Sequence, residues 1–322
     1  NGSDDTGDGS IELPFSSIQW ALKETSHADT IRIMPGTYYE HSFSNYDPQS
    51  TQPQSTGRFD LTIVGMNSTG EVIVDAQKNN RHMMINGGFN PDMQISMTFR
   101  NIHFTNGEGR DEDGFNGGGS MYLAKITAKF VNCHFSNNQA TAGVGGWTPG
   151  GALNIYSSTV KIISCTFEDN FSQIRGGAIN IDWYDENDEV DVEIINSTFT
   201  RNDVQINDGE QMSAWGGAIY FGASRNLRLK IEDSIFSDNR VRNNNSGQGC
   251  AGGVIGSMGQ DPQDDWSNIE PVIIDRNIFM DNGCDCGPGT WAGGSVIDVG
   301  WNIDISNSLF VQNYTQNEGG IS

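Results

Sequence analysis

Apolar and polar residues alternate along this chain in short runs, without the three-to-four-residue spacing of a helix. Residues 159–167 read TVKIISCTF, a pattern that predicts a β-strand with Ile163, Cys165 and Phe167 on its inward face. Residues 176–181 then read GGAINI, where Ile179 and Ile181 alternate with small and polar residues. Each such stretch predicts two short strands separated by a corner and a bend.

The first forty residues contain one stretch that does have helical spacing. Phe15, Ile18 and Leu22 recur at helical spacing, which predicts a short amphipathic helix near the N-terminus. Short strands are predicted next, at residues 30–34, 61–65 and 71–75. We expect the helix to cover the first sheet edge, which a solenoid needs for solubility.

A paired motif repeats through the rest of the chain. A Phe-x-x-Asn sequence is followed each time by Gly-Gly and a small or apolar residue, and successive phenylalanines lie 31 to 43 residues apart. The motif occurs at Phe135/Asn138, Phe167/Asn170, Phe199/Asn202, Phe236/Asn239, Phe279/Asn282 and Phe310/Asn313, with a degenerate copy at Phe104/Gly107. Gly-Gly pairs begin at positions 118, 150, 176, 216, 252, 293 and 319.

A period just above thirty residues with period-two alternation inside it predicts a β-solenoid. Equivalent residues of neighbouring coils then lie about 4.8 Å apart. We expect the phenylalanines to stack in the core and the asparagines to form a ladder of hydrogen-bonded amides at a corner. Gly-Gly permits a sharp bend where a Cβ would clash. The predicted fold class is therefore all-β, a right-handed parallel β-helix (solenoid) with a short N-terminal capping helix.

The whole chain, residues 1–322, is predicted to be one domain. Residues 1–30 form the cap, residues 31–100 the first coils, and residues 101–322 the repeats, which end in mid-repeat. Insertions fall mainly between the Phe motif and Gly-Gly and after the Gly-Gly strand. We therefore expect binding in loops such as residues 171–175 and their longer counterparts.

Two stretches carry a family resemblance. The opening Pro-Phe-x-x-Ile-x-x-Ala-Leu at residues 14–22, followed by DTIRIMPGTY at residues 29–38, resembles the start of pectate-lyase-like, right-handed parallel β-helix proteins. The Gly-Gly-Ala-Ile and Phe-x-x-Asn copies are similar to the repeats of polymorphic outer membrane proteins and related surface proteins. The resemblance implies the fold. Polysaccharide lyases and hydrolases share it, but their catalytic sequences are not recognisable here.

Charge narrows the possible partners. The chain has 41 Asp and Glu against 18 Lys and Arg, a net charge of −23. Such acidity argues against nucleic acid and anionic membrane surfaces as partners. No run of about 18 apolar residues occurs, so we expect no membrane insertion. Cations, neutral glycans and other proteins remain open, and the acidity can also serve solubility alone.

Three acidic clusters in variable loops are candidate calcium sites. They are residues 111–113, residues 185–189, and Asp261 with Asp264 and Asp265. Asp185, Asp188 and Glu189 are the ligands we would assign to calcium, the one cofactor considered. The alternative is a solvated acidic loop, and none of the clusters matches a defined calcium-binding loop.

Histidines and tryptophans are weaker candidates for functional residues. His103 and His134 each precede a repeat phenylalanine, so we expect them to stack on the outside of adjacent coils as a surface pair. Trp147, Trp215 and Trp291 each lie shortly before Gly-Gly. They could stack on sugars, pack against another protein, or fold back to cover their own loops.

Five cysteines leave several pairings open. Cys133 and Cys165 each lie two residues before a repeat phenylalanine, close enough after stacking for a disulfide or for a pair of free, inward thiols. Cys250 could pair with Cys284 or with Cys286. The odd count leaves at least one thiol free or paired between chains.

Six Asn-x-Ser/Thr sequences are possible glycosylation sites. Asn170 and Asn313 are also ladder positions, so we expect them to be buried and unmodified. Asn67, Asn196 and Asn244 are the better acceptors because they lie in turns or on the outward face.

These features predict a secreted protein of the extracellular space or cell surface. Its expected role is non-catalytic, as an adhesive or assembly-forming solenoid whose partners are other protein chains or glycans. No catalytic residue is assigned. The alternative is a polysaccharide-active enzyme, a lyase or glycoside hydrolase.

Overall fold

A computed structural model describes most of the chain. The described residues are 2–44, 57–66, 70–89, 93–110, 116–141, 146–185, 188–206, 212–222, 226–245, 248–257, 270–287, 292–300 and 302–317.

Four stacks of parallel strands make up the molecule, as expected for a parallel β-helix. Sheet A consists of Asp29–Ile33, Gly57–Gly65, Met93–Arg100, Thr127–Val131, Thr159–Ile163, Val190–Ile195, Leu227–Glu232, Val272–Asp275 and Ile303–Ser306. Sheet B consists of Gly36–Tyr38, Val72–Asp75, His103–Thr105, His134–Ser136, Thr166–Glu168, Thr198–Thr200, Ile235–Ser237, Ile278–Met280 and Leu309–Val311.

The other two stacks complete each coil. Sheet D consists of Glu108–Gly109, Gln139–Ala140, Phe171–Ser172, Asp203–Gln205, Arg240–Asn243, Gly283–Cys286 and Tyr314–Asn317. Sheet C consists of Phe43–Ser44, Met83–Asn86, Met121–Ala124, Leu153–Tyr156, Ile179–Asp182, Ile219–Phe221, Ile255–Ser257 and Ile297–Val299. A full coil passes through sheets A, B, D and C in turn. Ala214–Trp215 pairs separately with Cys250–Ala251.

One α-helix, Ile18–Glu24, is present among the described residues, with a 3₁₀ turn at Gly87–Phe89. The Ser17 hydroxyl accepts a hydrogen bond from the Trp20 N–H at 3.1 Å and caps the helix. The Glu40 carboxylate accepts from the Ile18 and Gln19 N–H groups at 2.8 and 2.9 Å. The helix buries Ile18 against the core. No helix in this part of the chain is long and apolar enough to cross a membrane.

The prediction that Ile163, Cys165 and Phe167 form the inward face of residues 159–167 is wrong for Ile163. Val160 and Ile162 are fully buried, while Ile163 is half-buried. Cys165 and Phe167 are buried as expected. Ser164 has a φ of 53°, so the backbone leaves the extended conformation between sheets A and B and the alternation restarts one residue out of phase.

The same left-handed corner recurs on other coils. Its φ values lie between 47° and 56°, and most of its residues are Asn or Asp, which tolerate this conformation best. The positions equivalent to Ser164 are Asn101, Asn132, Asn196, Asp233, Arg276 and Asn307.

Phenylalanines stack along the core, and asparagines form a ladder beside them. Successive repeat phenylalanines have ring centroids 4.7 to 5.4 Å apart. The Asn170 Nδ2 donates to Asn202 Oδ1 at 2.9 Å and to the Phe135 carbonyl at 3.0 Å. The same arrangement joins Asn138, Asn202, Asn239, Asn282 and Asn313. At the degenerate coil, the Gly107 N–H donates to Asn138 Oδ1 at 2.8 Å. The buried amides are therefore hydrogen-bonded.

Candidate binding surface on the outer face of sheet C

The outer face of sheet C carries large polar and aromatic side chains. Ile179 and Ile181 point into the core, so Asn180 and Asp182 lie on the opposite side of the same strand. Asn180 is in register with Asn154 on one side and Tyr220 on the other. Loops from both ends of the strands lie beside these residues.

Three tyrosines form one part of this surface, which we call the tyrosine cluster: Tyr122, Tyr156 and Tyr184. The ring centroid of Tyr156 lies 5.6 Å from that of Tyr122 and 5.0 Å from that of Tyr184. The hydroxyls of Tyr122 and Tyr184 are hydrogen-bonded to each other. Burial raises the pKa of Tyr122 and of Tyr156 well above the usual value. The rings are therefore neutral, and Tyr184 is open to solvent.

An arginine between two aromatic rings forms the second part. The Arg175 guanidinium lies 4.0 Å from the centroid of Trp147 and 4.5 Å from that of Tyr220. Its Nη1 also donates to the Tyr220 hydroxyl at 3.0 Å. Such stacking holds the guanidinium rigidly between the two rings.

The loop of residues 171–175 presents this arginine. The Ser172 hydroxyl donates to the Arg175 carbonyl at 2.9 Å. It accepts from the backbone N–H groups of Ile174 and Arg175 at 3.3 and 3.2 Å. One serine thus closes the tight turn that carries the arginine back towards sheet C.

Asp182 is a carboxyl on this surface, and its pKa is raised towards neutrality. Burial raises the pKa of Asp182 to about 6, although a hydrogen bond from the Trp183 N–H at 3.1 Å and the charge of Arg175 act in the opposite direction. A carboxyl with such a pKa exchanges a proton easily near pH 6.

A cleft of about 650 Å³ adjoins the tyrosine cluster where sheet C turns into sheet A. Lys125, Ser157, Asp188 and Glu189 line it, together with Gly88 and Gln94. Asp188 Oδ2 accepts from the Ser157 hydroxyl at 2.6 Å and lies 3.5 Å from Lys125 Nζ.

Of the proposed calcium ligands, Asp188 and Glu189 face this cleft, and Asp185 lies at the turn before it. The Asp185 N–H donates to Asp188 Oδ2 at 3.3 Å, so that oxygen already has three neighbouring donors. A calcium site here remains a prediction. Residues 111–113, Asp261, Asp264 and Asp265 lie outside the described residues, as does Trp291.

The cysteines are all placed. Cys250 and Cys286 form a disulfide with a Cα–Cα distance of 6.0 Å. Cys133, Cys165 and Cys284 are buried free thiols. The Cys133 N–H donates to Cys165 Sγ at 3.4 Å, so these two residues stack on neighbouring coils.

The possible glycosylation sites differ in exposure. Asn196 and Asn244 are exposed, and Asn67 lies outside the described residues. Asn170 is fully buried, and Asn313 is half-buried with its Nδ2 donating to the Phe279 carbonyl at 2.9 Å.

Sequence reasoning located the loop of residues 171–175 but not the surface it joins. The signal was present in the repeat. Tyr122, Asn154, Asn180 and Tyr220 each lie three residues after the second glycine of a Gly-Gly pair. Aligning the repeats on that glycine would have placed these large polar residues side by side, outside the core.

Comparisons with known proteins found no match to a family model, to a curated protein or to a solved structure. The resemblance to pectate-lyase-like proteins and to polymorphic outer membrane proteins therefore still rests on the sequence motifs.

Proposed function

We propose that this protein is a secreted, non-catalytic solenoid of the cell surface or extracellular matrix that binds glycans through the outer face of sheet C. The observation that carries the proposal is the tyrosine cluster, in which Tyr184 is exposed to solvent, together with Trp147 stacked on Arg175. A right-handed coil of the pectate-lyase-like type is part of the proposal.

Ring faces and fixed hydrogen-bonding groups together suit a sugar. The C–H faces of a pyranose pack against aromatic rings, and its hydroxyls need donors and acceptors held in fixed positions. Tyr184 is 48% exposed and offers its ring to solvent. With a net charge of −23, the protein should favour a neutral polysaccharide over a polyanionic one.

An extracellular location agrees with the disulfide between Cys250 and Cys286, since such bonds persist in oxidising compartments. The exposed side chains of Asn196 and Asn244 would be accessible for glycosylation. The adhesive role would then follow from glycan binding by a rigid, elongated surface.

Affinity electrophoresis and calorimetry against neutral and acidic polysaccharides test the proposal. We expect saturable binding to a neutral polysaccharide, and we expect Tyr184→Ala to weaken it at least tenfold. Tyr39→Ala is the matched control because Tyr39 is 64% exposed and follows the first strand of sheet B. The proposal fails if no polysaccharide binds, or if both variants lose affinity equally.

A polysaccharide-active enzyme is the second candidate, and Asp182 favours it. A carboxyl with a pKa of about 6 is suited to act as a general acid. Incubating the bound polysaccharide with the protein should then yield reducing or unsaturated ends, and Asp182→Asn should abolish them. Binding without such products, in wild type and variant alike, supports the non-catalytic role.

A further inference from the structure

A histidine–carboxylate cluster lies on the outer face of sheet B, separate from the glycan surface. His103 and His134 are directly in register on adjacent strands. Their rings stack with centroids 4.0 Å apart and planes 12° from parallel. Glu71 lies two residues before Ile73, the register partner of His103, and Glu168 lies two residues after Thr166, the partner of His134.

This placement puts metal-binding atoms close together. Glu71 Oε1 lies 3.3 Å from His103 Nδ1. One nitrogen of each histidine and one Glu71 oxygen all lie within 4.8 Å of one another. Around a tetrahedral zinc ion with bonds of 2.0–2.1 Å, ligand atoms are spaced by about 3.3 Å. Rotation of the exposed Glu71 side chain would bring its carboxylate oxygen closer to the two nitrogens.

The hydrogen bonds around His103 leave its Nδ1 facing a carboxylate. The Ser136 hydroxyl donates to Thr105 Oγ1 at 3.0 Å, so it accepts the hydrogen bond that joins it to His103 Nε2 at 2.7 Å. Nε2 therefore carries the proton, and in the neutral ring Nδ1 has a lone pair directed at Glu71. Two electron-rich atoms at 3.3 Å repel each other unless a cation lies between them.

His103 Nδ1 is shielded from solvent and has no hydrogen-bond partner among the described residues. A divalent ion would satisfy the lone pair without placing a charged imidazolium beside a second histidine.

Glu168 lies beside the second histidine. Its Oε2 lies 3.3 Å from His134 Nε2, and its Oε1 pairs with Arg201. A carboxylate beside a ligating imidazole fixes the ring orientation and increases its basicity. The set of two imidazoles and a carboxylate suits zinc and other first-row transition ions better than calcium, which prefers oxygen ligands alone.

We propose that Glu71, His103 and His134 bind one divalent transition-metal ion, with Zn²⁺ as the best-fitting ion, on the outer face of sheet B. Ser136 and Glu168 are positioning residues that hold the two imidazoles. Glu71 is 54% exposed on its side chain, so the ion would keep at least one position open to water.

Calorimetry with zinc sulfate on the full, chelator-treated chain tests this proposal. We expect one ion per chain with a Kd in the micromolar range or below, and Co²⁺ should bind at the same site with a new visible absorption band. Glu71→Gln and His103→Ala should each weaken zinc binding at least tenfold. Ser136→Ala should weaken it by a smaller factor, about tenfold or less.

His41→Ala is the control variant, since His41 lies at the surface outside the cluster and its Nδ1 contacts Ser42 at 2.8 Å. It should bind zinc like the wild type. If His103→Ala does not fold, Glu71→Gln still tests the proposal, because it changes only an exposed side chain. No saturable binding, or equal losses in the His41 and Glu71 variants, would overturn the proposal.

Discussion

At the residue scale, this molecule depends on the ladder asparagines, whose buried side chains are hydrogen-bonded to one another. Asn170 is fully buried, accepts from the backbone and side chain of Asn138, and donates to Asn202 and to the Phe135 carbonyl. Removing such a group leaves its partners without hydrogen bonds in a dry environment, which costs more than the bonds contribute while they are present.

Asn170→Ala should therefore destabilise the protein by about 2–4 kcal/mol, because the Asn138 N–H and the Phe135 carbonyl lose partners. Urea denaturation measures this change. Asn79→Ala, at an exposed asparagine, should alter stability by less than about 0.5 kcal/mol. Similar values for the two variants would show that the ladder contributes little.

Asp182 should make stability depend on pH in a defined direction. Its folded-state pKa, about 6, lies above the ordinary value of 3.8, so the folded state binds the proton more tightly than the unfolded state. Stability contributed by the protonated carboxyl is present below pH 4 and is lost as the pH rises towards 6.

Asp182→Asn removes that dependence. Between pH 4 and pH 7 the variant should gain about 1–3 kcal/mol relative to the wild type, with the urea midpoints of both proteins as the measurement. A constant difference across this range would mean that the carboxyl titrates normally in the folded protein.

At the element scale, the Gly-Gly pair decides how each coil enters sheet C. Gly176 has a φ of 59°, and a Cβ on Gly177 would lie 2.1 Å from the Gly217 carbonyl oxygen of the next coil. These contacts are with backbone atoms, which cannot move aside without separating neighbouring coils.

Gly177→Ala should consequently cost more than about 3 kcal/mol or prevent folding. Gly70→Ala is the matched control, because its Cβ would meet only the Pro35 side chain at 3.4 Å. Soluble yield and thermal melting of the two variants give the comparison, and an unaffected Gly177→Ala protein would contradict the close approach of the coils.

The disulfide joins two coils on the loop side of sheet D. Alkylation of the denatured, unreduced protein should modify three thiols, and the peptide linking Cys250 to Cys286 should appear by mass spectrometry. Cys286→Ala should lower stability by about 3–4 kcal/mol, since the bond closes a loop of 36 residues in the unfolded chain. Modification of five thiols would contradict this pairing.

At the scale of the whole molecule, the repeat carried enough information to predict a stack of parallel coils. Alternation alone could not show that Ile163 is off the inward face of its strand. The left-handed residue Ser164 interrupts the alternation, and a serine at this position gives no sign of that in the sequence. The stacked pair of His103 and His134 was predicted correctly. The aromatic surface and the approach of Glu71 to His103 were missed for a different reason. Both are assembled from side chains about one coil apart, and their proximity depends on strand register.

The asparagine ladder also gives the molecule an electrical direction. Every ladder amide turns its oxygen towards the preceding coil and a hydrogen towards the oxygen of the following one. The amide dipoles from Asn138 to Asn313 therefore point the same way, and each polarises the next. A neutral column of side chains thus acquires a negative end near the first coils and a positive end near the last, as the peptide dipoles of a helix do. Its sign follows from the order of the coils and would survive replacement of every charged residue on the surface.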